Sequence, residues 1–254
     1  FKQLITNFNS MIDRLKKQQD KLLATERYQA WETVARKLAH EIKNPLTPIQ
    51  LSIDRLREKY SSKISSNSDD FERYLETINR QIKDIEKLVN EFSNFARMPR
   101  PIFKKINIYE VVNRAVIFAQ MSTKNKIELK TNKKKILING DSEQLNRVFI
   151  NLIKNSEESF EDLSKKTPNF KGKIDIEIVS NNDYIMIKLT DNGSGITDIK
   201  KVMTPYFTTK AKGTGLGLPI VSKIINEHSG DFFINNKKDK KGVEIEILFP
   251  KLDA

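Results

Sequence analysis

The sequence predicts an α + α/β fold, in which a long helical hairpin pairs into a dimeric four-helix bundle and is followed by a two-layer α/β sandwich. Apolar residues recur three or four apart through roughly the first hundred residues, which is a helical pattern. Later segments alternate between apolar and polar residues, as half-buried strands do. The two patterns meet at Met98-Pro99-Arg100-Pro101, where prolines end a helix because they donate no backbone hydrogen bond. We therefore place a domain boundary there.

The amino-terminal part has the pattern of three helices. Residues 1–24 resemble a short coiled coil, and residues 25–98 hold two longer helices. The first of these passes through Trp31 to about Tyr60, and a serine-rich turn follows from Ser61 to Asp70. The second carries a heptad seam of apolar residues: Phe71, Leu75, Ile78, Ile82, Ile85, Val89, Phe92 and Phe95.

A homodimer follows from the width of these apolar stripes. Two helices joined by one turn cannot bury both stripes against each other, whereas two hairpins packed together close a four-helix core. The alternative is a monomeric hairpin that packs onto the second domain.

The carboxy-terminal part, residues 104–254 after a linker at 99–103, mixes helices and strands. Helices are predicted for Val111 to Met121 and for Asp141 to Phe160, with Asp141 as the cap of the second. Short strands are predicted for Lys126 to Lys130 and Ile136 to Ile138. Three further strands alternate cleanly, around Ile174 to Ile178, Ile185 to Leu189 and Val243 to Phe249. The expected architecture is a layer of helices over one mixed sheet.

Composition excludes several classes of site. The chain of 254 residues has no cysteine and two histidines, which excludes disulfides, thiolate nucleophiles and cysteine-bound zinc. The net charge is +12, but the lysine clusters lie in predicted loops without interleaved aromatic residues, so no direct nucleic-acid partner is expected. A positive surface also attracts ATP or an acidic protein. The chain has no apolar run of membrane-spanning length and opens at Phe1 on a helical pattern, so we expect a piece of a longer protein.

His40 lies in the run His40-Glu41-Ile42-Lys43-Asn44-Pro45 on the second predicted helix. It is off the apolar stripe of Leu38 and Ile42, so its imidazole is expected to face solvent or a visiting domain. Taken alone, a solvated histidine is the simpler interpretation.

Two asparagines and a glycine-rich turn suggest a nucleotide site. Asn151 and Asn155 are four apart and share one helix face, where their amide oxygens suit Mg²⁺, although such a pair is more often a polar surface. Asp191-Asn192-Gly193-Ser194-Gly195 ends a predicted strand, and a carboxylate there can accept from the amine of adenine. Taken alone, this stretch could equally be an ordinary turn.

A second glycine-rich segment opens a helix and follows a candidate lid. Glycine amides and a helix N-terminus in Gly213-Thr214-Gly215-Leu216-Gly217-Leu218 could receive phosphates. The spacing is neither that of a Walker loop nor that of a dinucleotide-binding turn. Just before it, Pro205-Tyr206-Phe207-Thr208-Thr209-Lys210 is interpreted as a mobile lid whose lysine can reach a phosphate.

In order and spacing, these elements resemble the bacterial sensor histidine kinases of two-component systems over essentially the whole chain. The His40 run resembles the phosphoacceptor box, Asn151 to Asn155 the N box, Asp191 to Gly195 and Gly213 to Gly217 the two glycine boxes, and Pro205 to Lys210 the F box. The segment around His40 looks closest to the NtrY-like nitrogen-regulation kinases. Phe1 to Leu22 resembles the last helix of a HAMP signalling region.

The resemblance implies an ATP-binding domain of the GHKL/HATPase type, with ATP and Mg²⁺ as cofactors and Asn155 and Asn151 holding the metal. It implies that His40 accepts the phosphoryl group, Glu41 orients its ring, Lys210 offsets charge, and Asn44 positions water for dephosphorylation. The implied nucleotide contacts are Asn151, Asn155, Asp191, Gly193, Gly195, Phe207, Thr208, Thr209, Lys210, Gly213, Thr214, Gly215, Leu216, Gly217 and Leu218.

The same resemblance implies a homodimer that passes the phosphoryl group to a response-regulator receiver domain, such as one of the NtrX type. It also implies the cytoplasmic portion of an inner-membrane protein, attached through segments before Phe1. One departure is Glu158, because many family members carry a basic residue three places after the magnesium asparagine. Two alternatives remain open: an ATPase or serine kinase of the wider fold, and a weakly catalytic scaffold or phosphatase module.

Overall fold

The computed structural model describes residues 8, 11, 12, 15, 19, 39, 41–61, 68–96, 98–181, 183–199, 201–205, 207–210, 213–237 and 241–252. The chain divides into two compact units, Phe1–Met98 and Pro99–Ala254. Most of the predicted coiled coil at 1–24 lies outside the described residues, and the five of its residues that are described are helical. No described helix is both long enough and apolar enough to cross a membrane.

The first unit contains a helical hairpin. Its helices are α1, described here over residues 41–60, and α2, Ser68–Ala96. Between them lies a small apolar cluster formed by Leu46, Ile53, Leu75 and Ile82, with Phe71 packed against it. Two polar contacts accompany the cluster: Gln50 Nε2 donates to Asn79 Oδ1 at 2.8 Å between its two apolar layers, and Arg57 pairs with Glu72 at 3.0 Å on the side of the turn. These side chains help to fix the register of the two helices.

Half of each apolar stripe is left exposed on this hairpin. On α1, Ile42, Ile49 and Leu56 are 38%, 46% and 44% exposed and are spaced seven residues apart. On α2, Ile78 and Ile85 are 44% and 40% exposed, whereas Leu75 and Ile82 belong to the buried cluster between the helices. A heptad column that the hairpin does not cover thus runs along each helix. We refer to these five residues as the exposed seam.

The second unit contains seven strands and three α-helices within the described residues. In chain order they are β1 Lys104–Asn107, α3 Ile108–Gln120, β2 Lys126–Thr131, β3 Leu137–Gly140, α4 Ser142–Lys166, β4 Lys173–Ser180, β5 Tyr184–Asp191, a 3-10 turn at Lys201–Met203, α5 Gly217–Glu227, β6 Asp231–Asn236 and β7 Val243–Pro250. The main sheet has the order β2-β4-β5-β7-β6, with β2 and β4 parallel and the other pairs antiparallel. It is the mixed sheet that the sequence predicts.

The prediction of one sheet is wrong in one respect, because β1 and β3 form a separate two-stranded antiparallel sheet. β1 is only four residues long, and β6 carries exposed Phe233 on a strand without clean alternation, so periodicity predicted neither. Helix α3 begins three residues before the predicted start, and α4 runs to Lys166 rather than to Phe160. These longer helices extend the layer that covers the sheet.

One face of the main sheet is buried under the helices. The inward residues of β4, β5 and β7 alternate along each strand and are at most 9% exposed: Ile174, Ile176, Ile178, Ile185, Ile187, Leu189, Val243, Ile245, Ile247 and Phe249. The helices meet them with their own buried faces, α3 packing on α4 and α4 on α5. Burial of each such side chain contributes about 1.5–3 kcal/mol. The result is a two-layer α/β sandwich.

Two side chains join the ends of α4 and α5. Asp141 caps α4, as predicted, by accepting from the backbone N–H groups of Glu143 at 3.0 Å and Gln144 at 3.1 Å. His228 is the C-cap residue of α5, and its Nε2 accepts from the Asp141 backbone N–H at 2.9 Å. Its Nδ1 lies 2.8 Å from the Ile224 carbonyl oxygen and therefore carries the hydrogen. Burial lowers the pKa of His228, so the ring is neutral and structural.

Candidate functional site

The middle of α4 presents two asparagines that the sequence singled out. Asn151 and Asn155 are both half-buried and lie one turn apart. The Nδ2 of Asn155 is buried and has no hydrogen-bond partner among the described residues. A Cβ at Gly217 would lie 3.7 Å from that nitrogen, so the first residue of α5 faces the Asn155 amide. The N box and the second glycine box thus meet.

Asp191, at the end of β5, is 5% exposed and held by three donors. Its Oδ1 accepts from the backbone N–H groups of Gly193 at 2.8 Å and Val243 at 3.0 Å, and its Oδ2 accepts from Ser156 Oγ at 2.9 Å. Ser156 follows Asn155 directly on α4. The carboxylate is therefore fixed in orientation beside the asparagine face, with acceptor capacity remaining on Oδ2.

Glycines allow the chain to fold tightly around Asp191. A Cβ at Gly193 would lie 2.0 Å from Ser159 Oγ, and one at Gly242 would lie 2.0 Å from the Asp191 carbonyl oxygen. Gly195 and Gly242 also have positive φ, +77° and +95°. Asn236 fastens the loop that follows, because it exchanges two hydrogen bonds of 2.7 Å with the backbone of Ile196.

The start of α5 carries no side-chain cap. Its N-cap residue is Leu216, which makes no capping hydrogen bond, and Gly215 before it has φ +69°. The first-turn N–H groups of such a helix attract anions. Leu216 itself is 2% exposed and is part of the core. Thr214 and Leu218 are half-buried beside it.

The lid segment folds back onto α4. Thr208 Oγ1 accepts from the Lys210 backbone N–H at 3.1 Å, and the Gly213 N–H donates to the Lys210 carbonyl at 3.1 Å. Lys210 Nζ lies 2.7 Å from Glu158 Oε2 and 3.3 Å from the Asn155 carbonyl oxygen. Phe207 is half-buried and Thr209 is exposed. Tyr206, Ala211 and Lys212 lie outside the described residues.

These contacts bring all four nucleotide boxes to one region of the second unit. Asn155 is the common element, because its side chain faces Gly217, its carbonyl accepts from Lys210, and its neighbour Ser156 binds Asp191. Sequence reasoning missed three contributors: Ser156, Gly242 and the backbone N–H of Val243. The available signals were weak, namely a serine beside a conspicuous asparagine and a glycine at a strand start.

The residues fit ATP and Mg²⁺, the groups that the fold family implies. The buried Asn155 amide, whose Nδ2 has no partner among the described residues, faces Gly217 at the uncapped start of α5, where backbone donors suit phosphates. The fixed Asp191 carboxylate suits an amine donor. Among the described residues, no group of three or more His, Cys, Asp or Glu side chains could hold a metal ion. Metal binding would thus rest on Asn155 and Asn151, together with phosphate oxygens.

The predicted phosphoacceptor, His40, lies outside the described residues. Its neighbours Glu41 and Asn44 are on α1 and are exposed. Pro45 and Pro48 lie within the helix, where they provide no N–H for the carbonyls of Glu41 and Asn44, four residues earlier. Both prolines thus reduce helical hydrogen bonding at Glu41 and Asn44, the two residues with predicted roles after His40.

Comparison with known families gives two matches in this order along the chain. Residues 30–101 match the His Kinase A (phospho-acceptor) domain. Residues 140–253 match the histidine kinase-, DNA gyrase B-, and HSP90-like ATPase domain.

Curated relatives align with most of this chain. A Rickettsia prowazekii protein described as an NtrY-like sensor histidine kinase is 40% identical over 97% of this chain and 40% of its own length. The nitrogen regulation protein NtrY of Azorhizobium caulinodans is 34% identical over 89% of this chain and 29% of its own length. The chain therefore spans about two fifths or less of the length of these relatives.

Solved structures share the fold at low sequence identity. The histidine kinase ThkA, crystallised in complex with the response regulator TrrA, superposes with a TM-score of 0.58 at 23% identity, covering 94% of this chain and 67% of ThkA. Full-length ShkA in complex with AMPPNP gives a TM-score of 0.59 at 17% identity, covering 87% of this chain and 46% of ShkA.

Proposed function

Because this chain belongs to the sensor histidine kinases of two-component systems, we propose that it autophosphorylates His40 from Mg-ATP and passes the phosphoryl group to an aspartate of a receiver domain. The observation that carries the proposal is the convergence of Asn155, Gly217 and Lys210 beside the buried Asp191 carboxylate. These groups match the parts of ATP: an acceptor for the adenine amine, backbone donors for phosphates, and a cation on the lid.

Each residue has a defined task in this reaction. Asp191 accepts from the adenine amine, and the α5 N-terminus binds phosphate oxygens through its N–H groups. Asn155 and Asn151 hold Mg²⁺, which neutralises phosphate charge when bound. A neutral ring nitrogen of His40 forms the bond to the γ-phosphorus as the bond to the leaving ADP oxygen breaks. Glu41 accepts from the other ring N–H and fixes the tautomer.

The proposal includes a homodimer, supported by the exposed seam. Covering Ile42, Ile49, Leu56, Ile78 and Ile85 with a second hairpin removes from water the apolar columns that one hairpin leaves uncovered. The receiver of the NtrX type, the location at the inner membrane and the role of Asn44 in dephosphorylation stay predictions from the family resemblance.

The test is incubation with radiolabelled Mg-ATP, comparing the wild type with His40→Gln. We expect a label on the wild-type chain that is lost in acid and kept in alkali, because phosphohistidine has that stability, and no label on the variant. Asp191→Asn serves as a second control, since it removes the adenine acceptor and leaves His40 intact.

Other outcomes identify the alternatives. A label that survives His40→Gln would refute the assignment of the phosphoacceptor and favour a kinase of another residue. Release of phosphate without any labelled chain would favour an ATPase, and tight nucleotide binding without either product would favour a scaffold that docks a regulator.

A further inference from the structure

Glu158 is the residue of the candidate site that the proposed reaction does not use. It lies on α4, three residues after Asn155, and points one carboxylate oxygen at the lid: Oε2 is 2.7 Å from Lys210 Nζ. Its other oxygen, Oε1, lies 3.8 Å from Lys154 Nζ on the preceding turn of the helix. The Glu158 carboxylate is therefore paired with one lysine of the lid segment and one lysine of α4.

The Glu158–Lys210 pair lies directly beside the predicted phosphate position. The same Lys210 nitrogen is 3.3 Å from the carbonyl oxygen of Asn155, whose side chain faces the start of α5. The side chains of Lys210 and Glu158 are 31% and 33% exposed, so solvent screens them only in part. The ammonium that would meet a phosphate is therefore already matched by a carboxylate of opposite charge.

The consequence for a ligand depends on its charge. A lysine binds phosphate as a point charge, and an adjacent carboxylate cancels much of that attraction while repelling the phosphate oxygens. ATP carries roughly four negative charges, of which the magnesium ion cancels about half. The repulsion from Glu158 is accordingly larger for metal-free ATP than for Mg-ATP.

We propose that Glu158 is a specificity-determining residue, which neutralises Lys210 so that the site accepts the magnesium complex of ATP and disfavours the metal-free nucleotide. The inference rests on the proposed function, because it takes Asn155 and the α5 N-terminus as the nucleotide site. It concerns equilibrium binding only, so it can be tested without phosphoryl transfer.

The test is isothermal titration calorimetry of the chain with ATP in excess Mg²⁺ and with ATP in EDTA, comparing wild type with Glu158→Gln. The amide keeps a hydrogen-bond acceptor for Lys210 and removes the charge. We expect the affinity for metal-free ATP to rise about three- to tenfold and the affinity for Mg-ATP to rise by less than about threefold. Glu158→Asp keeps the charge and should retain the wild-type preference.

Glu161→Gln is the matched control, because Glu161 is exposed and lies on α4 one turn beyond Glu158. It makes the same change in net charge and should leave the ratio of the two affinities near the wild-type value. Equal gains for both ligands in Glu158→Gln, a similar ratio change in Glu161→Gln, or weaker binding of metal-free ATP would overturn the inference.

The inference and the proposed function fail in different measurements. Chains that bind Mg-ATP but never label His40 would refute the kinase proposal and leave the preference for the magnesium complex intact. Chains that label His40 and bind both forms of ATP with unchanged selectivity in Glu158→Gln would refute the inference alone. A wild-type chain that binds no nucleotide would refute both.

Discussion

Two replacements of Asp191, by alanine and by asparagine, distinguish the structural role of its carboxylate from its proposed contact with adenine. In Asp191→Ala, the backbone N–H groups of Gly193 and Val243 and the hydroxyl of Ser156 lose their acceptor at a site that is 5% exposed. Each unpartnered buried N–H costs about 1–3 kcal/mol, so we expect a loss of about 2–6 kcal/mol in unfolding free energy. That is a large part of the stability of a typical domain.

Asp191→Asn is the matched variant. Its amide oxygen can still accept from both backbone N–H groups, and the Ser156 hydroxyl can accept from the new NH₂, so the expected loss is about 1 kcal/mol. The amide presents a donor where the amine of adenine needs an acceptor, so ATP affinity should fall by at least about tenfold. The asparagine variant should thus weaken ATP binding while most of the stability of the fold is kept.

The assay combines urea unfolding, followed by circular dichroism, with calorimetric titration of Mg-ATP. We expect Asp191→Ala to unfold at a clearly lower urea concentration. We expect Asp191→Asn to unfold near the wild type and to bind Mg-ATP at least about tenfold more weakly. Equal unfolding midpoints for wild type and Asp191→Ala would refute the hydrogen-bond argument. Wild-type affinity in Asp191→Asn would refute the adenine contact.

Three further predictions concern His228, Gly242 and Ile49. Burial lowers the pKa of His228 from 6.5, so the unfolded chain binds a proton at this ring at a higher pH than the folded chain does. The free energy of unfolding should therefore fall as the pH drops below about 6.5, by no more than about 1.4 kcal/mol per pH unit. In a pH series of thermal unfolding, His228→Gln should flatten this fall. Gly242→Ala should cost at least about 2 kcal/mol in urea unfolding, because φ is +95° and its Cβ would lie 2.0 Å from the Asp191 carbonyl oxygen; wild-type stability would contradict the turn geometry. Ile49→Lys should give a folded monomer by light scattering, since Ile49 is 46% exposed on the hairpin, and an intact dimer would show that the exposed seam is not its interface.

The family and the main elements could be predicted from the sequence because their signals are local. Helical spacing places Asn151 and Asn155 on one face, and Asp141 caps α4 through groups only two and three residues away. Strand alternation in β4, β5 and β7 reflects one buried face of a sheet, and it identified all three strands. The family comparisons match a phospho-acceptor domain and a histidine kinase-type ATPase domain, in the order that these local motifs predict.

Elements without a local signal could not be predicted. The four-residue β1 is too short for periodicity, and its pairing with β3 depends on a partner more than thirty residues away in the register Lys104 to Gly140. The extension of α4 from Phe160 to Lys166 runs through mainly exposed residues, so no apolar stripe marks the end of the helix. The hydrogen bond that the Asp141 backbone N–H donates to His228 joins residues 87 positions apart, so no local signal predicts it.

The sequence by itself determined which chemical groups this protein has: a histidine in a phosphoacceptor-like run, an asparagine pair, a strand-end aspartate and glycine-rich turns in a defined order. Only the tertiary structure decided how they are used. It showed that Asp191 is held by Ser156 and Val243, and that Lys210 meets Glu158 across 52 residues of chain. Charge pairing depends on distance in space, which one sequence does not encode locally, so the departure at Glu158 became interpretable only when its partner was known.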